Sequence, residues 1–122
     1  MKITYASKLA VIIRASKTSL ANTSREVNIF LKSSRRYYEI ETDSNSVVPK
    51  LIIRKLVSTA KVTVVPNKYV LLAGSVSSLK LFANFLDAAT NHRHNELFRF
   101  DHTFSNNHVS PDSIRLTLMT ER

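Results

Sequence analysis

Residues 69–91 read YVLLAGSVSSLKLFANFLDAATN, and this stretch decides the fold class. Tyr69 to Ala73 is apolar on both faces, as expected of a strand in the middle of a sheet. Gly74 ends that run, and Ser75 or Ser77 can accept from the first orphan amides of a helix. From Ser75 to about Asn91, Leu79, Phe82, Ala83, Leu86 and Ala89 recur at helical spacing, while Lys80, Asn84, Asp87 and Asn91 fall on the opposite stripe. That alternation predicts an amphipathic helix with one face on a core.

Working outward, Lys61 to Val65 alternates, and Pro66-Asn67-Lys68 joins it to Tyr69–Ala73 as an antiparallel pair. Downstream, Leu97 to Phe104 reads as a strand with Phe98, Phe100 and Phe104 on one face. Ser113 to Met119 reads as another, with Ile114, Leu116 and Leu118 on one face. Upstream, Lys8 to Ser16 is a strand and Lys17 to Ser24 a polar connection. Glu26 to Lys32, with Val27, Ile29 and Leu31 at period two, forms a hairpin with Arg36 to Thr42 across Ser33-Ser34-Arg35. Val47 to Ser58 fits two patterns. As a helix it is capped by Ser46 with Pro49 in the first turn; as a strand it carries Leu51, Ile53, Lys55 and Val57 on one face. The helix is slightly favoured. The expectation is one α+β domain spanning 1–122: a mostly antiparallel sheet with one long amphipathic helix, about 75–91, packed on one face.

Composition narrows the function. The chain has 122 residues, one glycine and no cysteine. One glycine excludes a Gly-rich phosphate loop, and no cysteine excludes disulfides, thiolate nucleophiles and thiolate metal sites. The absence of cysteine suits a reducing, cytoplasmic setting. No apolar run approaches the roughly 20 residues of a membrane helix. Met1 to Arg25 holds five cations and no acid, a pattern shared by transit peptides and by an ordinary first strand, and Leu9–Ile13 favours the strand. Serines are numerous, yet none sits in a nucleophile-elbow motif and the carboxylates are scattered, so a non-enzymatic role is expected.

Charge is uneven. The net charge is +9, and residues 1–61 hold 12 Lys/Arg against 4 Asp/Glu, whereas residues 62–122 hold 6 against 5. A basic half predicts one surface facing something negative. Lys32-Ser33-Ser34-Arg35-Arg36-Tyr37-Tyr38 mixes cations with aromatic faces, which suits phosphates and stacked bases, with Pro49-Lys50 and Arg54-Lys55 extending the patch over residues 32–61. The histidines, His92, His94, His102 and His108, cluster with Asp101 and Asp112. Their spacing is a weak match to a zinc site, and Arg93 between two of them opposes a cation, so no metal or other cofactor is expected. His102 fits better as a hydrogen-bonded histidine at the edge of an aromatic core.

One segment is familiar. Val70-Leu71-Leu72-Ala73-Gly74-Ser75, then Leu79, Ala83, Phe85-Leu86, Ala88-Ala89 and Phe100-Asp101-His102-Thr103-Phe104-Ser105, resembles a family of small bacterial immunity proteins, immunity protein family 32. Ser105-Asn106 stands at the family's Ser-Asn or Ser-Asp pair, and Ile114 to Leu118 at its final strand; the similarity covers residues 69–119. The resemblance implies an inhibitor that sequesters one cognate toxin by protein–protein contact. It implies His102, Phe104, Ser105 and Asn106 at the contact surface, with Arg35, Arg36 and Tyr38 steering or anchoring an acidic partner. Nucleic-acid binding through residues 32–61 is the alternative.

Overall fold

The computed structural model describes residues 1–90, 97–102 and 108–121. Among these the chain runs β1 (Lys2–Ser7), β2 (Ala10–Ser16), α1 (Lys17–Lys32), β3 (Tyr37–Glu41), β4 (Lys50–Lys55), β5 (Lys61–Val65), β6 (Tyr69–Gly74), α2 (Val76–Thr90), β7 (Leu97–Phe100) and β8 (Arg115–Glu121). The strands form two four-stranded sheets, β1-β2-β8-β7 and β3-β4-β6-β5, called A and B below. Each is mixed: the outer pairs are antiparallel, and the central pairs, β2 with β8 and β4 with β6, are parallel. No described helix is long and apolar enough to cross a membrane.

The α+β class holds, but three expectations are corrected. First, there are two sheets and two helices among the described residues, not one sheet and one helix. Second, Lys17 to Lys32 is a helix, not a polar connection followed by a strand. Ser16 caps it, its Oγ accepting from the Ser19 amide at 3.1 Å. Leu20, Ser24, Val27, Phe30 and Leu31 form its buried stripe, while Ile29 is 58% exposed. Third, residues 50–55 are a strand: Leu51 and Ile53 point inward, and the Ser46 hydroxyl accepts from the Ile3 amide instead of capping a helix. The helix expected at about 75–91 forms over Val76–Thr90, with Ser75 Oγ accepting from the Ser78 amide at 3.2 Å.

The two sheets are tied by a relation the sequence reading did not detect. Residues 1–20 and 60–79 align without a gap at a constant offset of 59. Lys2/Lys61, Thr4/Thr63, Val11/Val70, Ser16/Ser75, Ser19/Ser78 and Leu20/Leu79 are identical, and Ile3/Val62, Ile12/Leu71, Ile13/Leu72 and Thr18/Ser77 are close in kind. The fold repeats with the sequence. β1-β2-α1-β3-β4 and β5-β6-α2-β7-β8 are twin ββαββ units, and exchanging them maps sheet A onto sheet B. Register follows: Val11 opposite Leu116 becomes Val70 opposite Leu51, and Leu116 opposite Phe100 becomes Leu51 opposite Ile40. So do the crossing hydrogen bonds. Val47 donates to Ile3 O at 2.9 Å as Ile114 donates to Val62 O at 3.0 Å. Ile3 N donates to Ser46 Oγ at 3.0 Å as Val62 N donates to Ser113 Oγ at 2.8 Å.

Each unit contributes two strands to each sheet, so neither can complete a sheet alone. The approximate two-fold relation passes through the helix pair, where the twins Ser24 and Ala83 meet. The Ser24 hydroxyl donates to the Ala83 carbonyl at 2.9 Å, and these small residues let the backbones approach. The helices pack chiefly on each other and then on β2, β6, β7 and β8. One core joins Ile3, Val11, Ile13, Leu51, Ile53, Val62, Val70 and Leu72 of the strands to Leu20, Val27, Leu79, Phe82 and Leu86 of the helices. Phe82 and Phe100 meet edge to face at 5.3 Å, a favoured aromatic geometry.

Candidate functional site

A fold built twice supplies its own control. Positions needed by the fold recur in both units, whereas positions serving a single partner need not. The core passes this test: Leu51/Leu116, Ile53/Leu118, Val70/Val11, Leu72/Ile13 and Leu79/Leu20 remain large and aliphatic at 1% exposure or less. The solvent-facing rows of the sheets recur only in part: Lys61/Lys2, Thr63/Thr4 and Leu71/Ile12 are kept in kind, and the other positions change.

On sheet B, one row across the strands runs Tyr37, Arg54, Ala73, Lys61, and the next runs Glu39, Ile52, Leu71, Thr63. Tyr69 lies two residues along from Leu71 on the same face. Arg36, Tyr37, Glu39, Ile52, Arg54, Tyr69 and Leu71 line a shallow groove of about 440 Å³, with the Tyr37 residue 57% exposed. On sheet A the corresponding rows are Leu97, Met119, Arg14, Lys2 and Arg99, Thr117, Ile12, Thr4. Tyr69 is therefore matched by Ala10, Arg54 by Met119, Ile52 by Thr117 and Glu39 by Arg99. The Tyr–Arg–aliphatic combination belongs to sheet B alone. Tyrosine and arginine around an aliphatic centre is the composition enriched in the energetic centres of protein interfaces.

Arg35, Arg36 and Tyr38 stand beside this face, at the junction of α1 and β3. Arg36 is exposed and lines the groove. Tyr38 points to the other side of β3, where its ring stacks on Phe30 at 5.7 Å and Arg35 covers it at 5.6 Å. Burial pushes the Tyr38 hydroxyl above its usual pKa of 10.0, the Glu26 carboxylate reinforces this, and the Arg35 charge opposes it. Lys55 Nζ donates to the Ser33 carbonyl at 2.7 Å and lies 4.5 Å from the Phe30 ring centroid. Tyr38 thus seals the end of α1, and Arg35 and Arg36 carry the exposed charge there.

His102 is elsewhere, just past β7 on sheet A. Its Nδ1 donates to the Val109 carbonyl at 2.8 Å, fastening the chain that returns to β8. Beside it the half-exposed Arg115 donates from Nε to the buried Asp101 carboxylate at 3.0 Å. Of the expected contact residues that are described, the structure places Arg35, Arg36 and Tyr38 beside sheet B and His102 beside sheet A. Phe104, Ser105 and Asn106 lie outside the described residues, as do His92 and His94. Among the described residues no group of three His, Cys, Asp or Glu side chains could hold a metal. Ser78 Oγ and His108 Nδ1 are 3.5 Å apart, but Ser78 is 2% exposed, so substrate could not reach its hydroxyl as a nucleophile.

Sequence reasoning grouped Arg36, Tyr37 and Arg54 in one basic patch, as a nucleic-acid surface, but did not bring Ile52, Tyr69 and Leu71 to it. Reading 47–58 as a helix scattered Ile52 and Arg54. The period-two row Lys50, Ile52, Arg54 was the available signal. Comparison of the chain with known protein families, with characterised proteins and with solved structures returns no match.

Proposed function

We propose that this protein is a non-catalytic binding module for one acidic protein partner, acting as an immunity-type inhibitor. The outer face of sheet B is its docking surface. The observation that carries the proposal is the asymmetry of twin faces: an otherwise repeated fold has Tyr37, Tyr69, Arg36 and Arg54 around Ile52 and Leu71 on one sheet only. Ile52 and Leu71 supply apolar area, the tyrosines add rigid rings with hydrogen-bonding tips, and the arginines present forks to carboxylates. Lys50 is shared with Glu39 at 3.5 Å, leaving Arg36 and Arg54 as the main cationic contribution at the groove. Net charge of +9 accelerates encounter with an acidic surface, and the apolar centre slows dissociation.

The immunity role rests on the resemblance over residues 69–119, which lies within one ββαββ unit. Residues 1–55 are the second such unit in the same chain. The test pairs the purified protein with the product of the gene beside its own, by calorimetry and by rescue of growth when both are expressed. Tyr37→Ala and Arg54→Glu should each weaken the complex by about 30-fold or more, the loss expected for a hot-spot residue of about 2 kcal/mol. The twin-face changes Thr117→Ala and Met119→Glu should leave it nearly unchanged. Equal losses from both faces, or none from sheet B, would refute the placement.

A further inference from the structure

The twin comparison also singles out the helix pair. Along α1, Lys17, Arg25 and Lys32 fall within a sector of about 80° and rise over roughly 22 Å, whereas Glu26 lies about 100° further round. At the same offset of 59, α2 and the residue after it have Val76, Asn84 and Asn91. The opposite change occurs once: α2 has Lys80 where α1 has the small Ala21. Arg25, Lys32 and Lys80 thus border one groove of about 490 Å³, lined also by Ala21, Asn28 and Asn84 together with Ser24, Ile29 and Asp87.

A charge placed only for solubility has no reason to choose one face of one twin. Two of these cations are also held by neutral groups. Arg25 donates to the Asn22 amide oxygen at 2.7 Å, and Lys80 donates to the Asn28 amide oxygen across the helix interface. None of Lys17, Arg25, Lys32 and Lys80 has a carboxylate partner within salt-bridge distance among the described residues. Their charge is therefore not neutralised, and at Arg25 and Lys80 it is also held in place. Among the described residues, Asp87 is the one acid lining the groove.

We infer that the groove between α1 and α2 binds the phosphodiester backbone of nucleic acid. A row of cations with amide side chains between them suits a linear polyanion, because amides donate to phosphate oxygens while the cations displace condensed counterions. Recognition through the backbone is independent of base sequence, and the aromatic residues of sheet B take no part in it. The proposal therefore stands apart from the protein-docking face.

The experiment measures fluorescence anisotropy of a labelled 20-nucleotide strand and a 20-base-pair duplex of mixed sequence, titrated with the whole chain from about 25 to 200 mM salt. Three to four phosphate contacts give a log–log salt slope of about −2 to −4. The triple variant Arg25→Gln, Lys32→Gln, Lys80→Gln should bind at least about tenfold more weakly at low salt, with a slope near −1 or flatter. Glutamine is a comparable helix former at these positions, and thermal unfolding checks that the variant still folds. Arg36→Gln with Arg54→Gln should change binding by less than about threefold. Comparison of strand with duplex tells which form the groove prefers, and binding of either supports the inference. No binding at the lowest salt, loss through the sheet B variant instead, or binding to anionic phosphatidylglycerol vesicles without binding to either oligonucleotide would overturn it.

Discussion

Replacing Gly74 by alanine sets two effects of opposite sign against each other. Where a structure has room, Gly→Ala stabilises by about 0.4–1 kcal/mol, because the unfolded chain loses freedom. Gly74 has no positive φ, so its backbone suits an alanine. Space does not: an added Cβ would stand 2.7 Å from the Ala60 Cα and 3.0 Å from the Ala60 N. Relief requires Ala60, just before β5, to retreat by about 0.7 Å, since ordinary contact begins near 3.4 Å. Ala60 is fully buried and held on both sides, its N–H donating to His108 O at 2.7 Å and its carbonyl accepting from Ser110 N at 2.8 Å. Overpacking of this kind costs about 1–3 kcal/mol, and straining two buried hydrogen bonds adds to that. The clash wins. The expected net loss is about 2 kcal/mol, which lowers Tm by roughly 6–10 °C in a domain of this size. Urea unfolding followed by circular dichroism should show a lower midpoint at unchanged slope. A variant as stable as the parent, or more so, would refute the claim that Gly74 is there for space. The twin position already holds Ala15, so Ala15→Gly should instead lose about 0.5–1 kcal/mol through backbone entropy.

Three further outcomes are expected. The folded state raises the Tyr38 pKa above its unfolded value of 10.0, so this contribution to stability is complete below pH 10 and is lost as pH rises through the folded pKa; Tyr38→Phe should flatten that alkaline decline in pH-dependent urea unfolding, and an unchanged decline would count against the assignment. Ser24→Leu adds three carbons where the helices touch at Ser24 and Ala83 and should destabilise by about 1–3 kcal/mol, whereas Ser24→Ala should lose about 1 kcal/mol or less, both read from urea midpoints. Finally, Lys2 and Met119 flank Arg14 on neighbouring strands, so these positions are about 10 Å apart. A permuted chain opened at the fully exposed Val57 and joined from residue 122 to residue 1 by about five residues should fold with near-parental circular dichroism and Tm.

Much of the second unit was legible in the sequence. β5, β6, α2 and β8 obey their periods cleanly, and Asn67, at φ 64°, makes the turn that Pro66-Asn67-Lys68 announced. The first unit was not. In α1 the buried stripe includes Ser24, a polar residue inside only because its twin-related partner Ala83 offers a carbonyl. Meanwhile the exposed Ile29 gives Val27, Ile29 and Leu31 a false period of two. In β4 the Ser46 and Pro49 cues resemble a helix start, whereas Ser46 Oγ accepts from Ile3, 43 residues away. A partner at that distance leaves no local trace. The docking face was half visible, because Arg36, Tyr37 and Arg54 entered one patch while Tyr69 and Leu71 come from the other unit; the helix groove was hidden, because it joins residues of both units. Arg35 and Arg36 were found because they are neighbours in the chain.

The exchange of strands between units also sets an order in time. β1 and β2 can pair as soon as both are made, as can β3 and β4, but each hairpin lacks its parallel neighbour. β4 waits for β6, and β2 waits for β8, which ends at residue 121. During synthesis, sheet B can therefore close while sheet A still exposes the β2 edge, and β8 later completes the sheet that β1 and β2 began. Long-range parallel pairing of this kind is slow to form and vulnerable while it waits. The nascent chain should gain protease resistance in one late step, after β8 has cleared the exit tunnel.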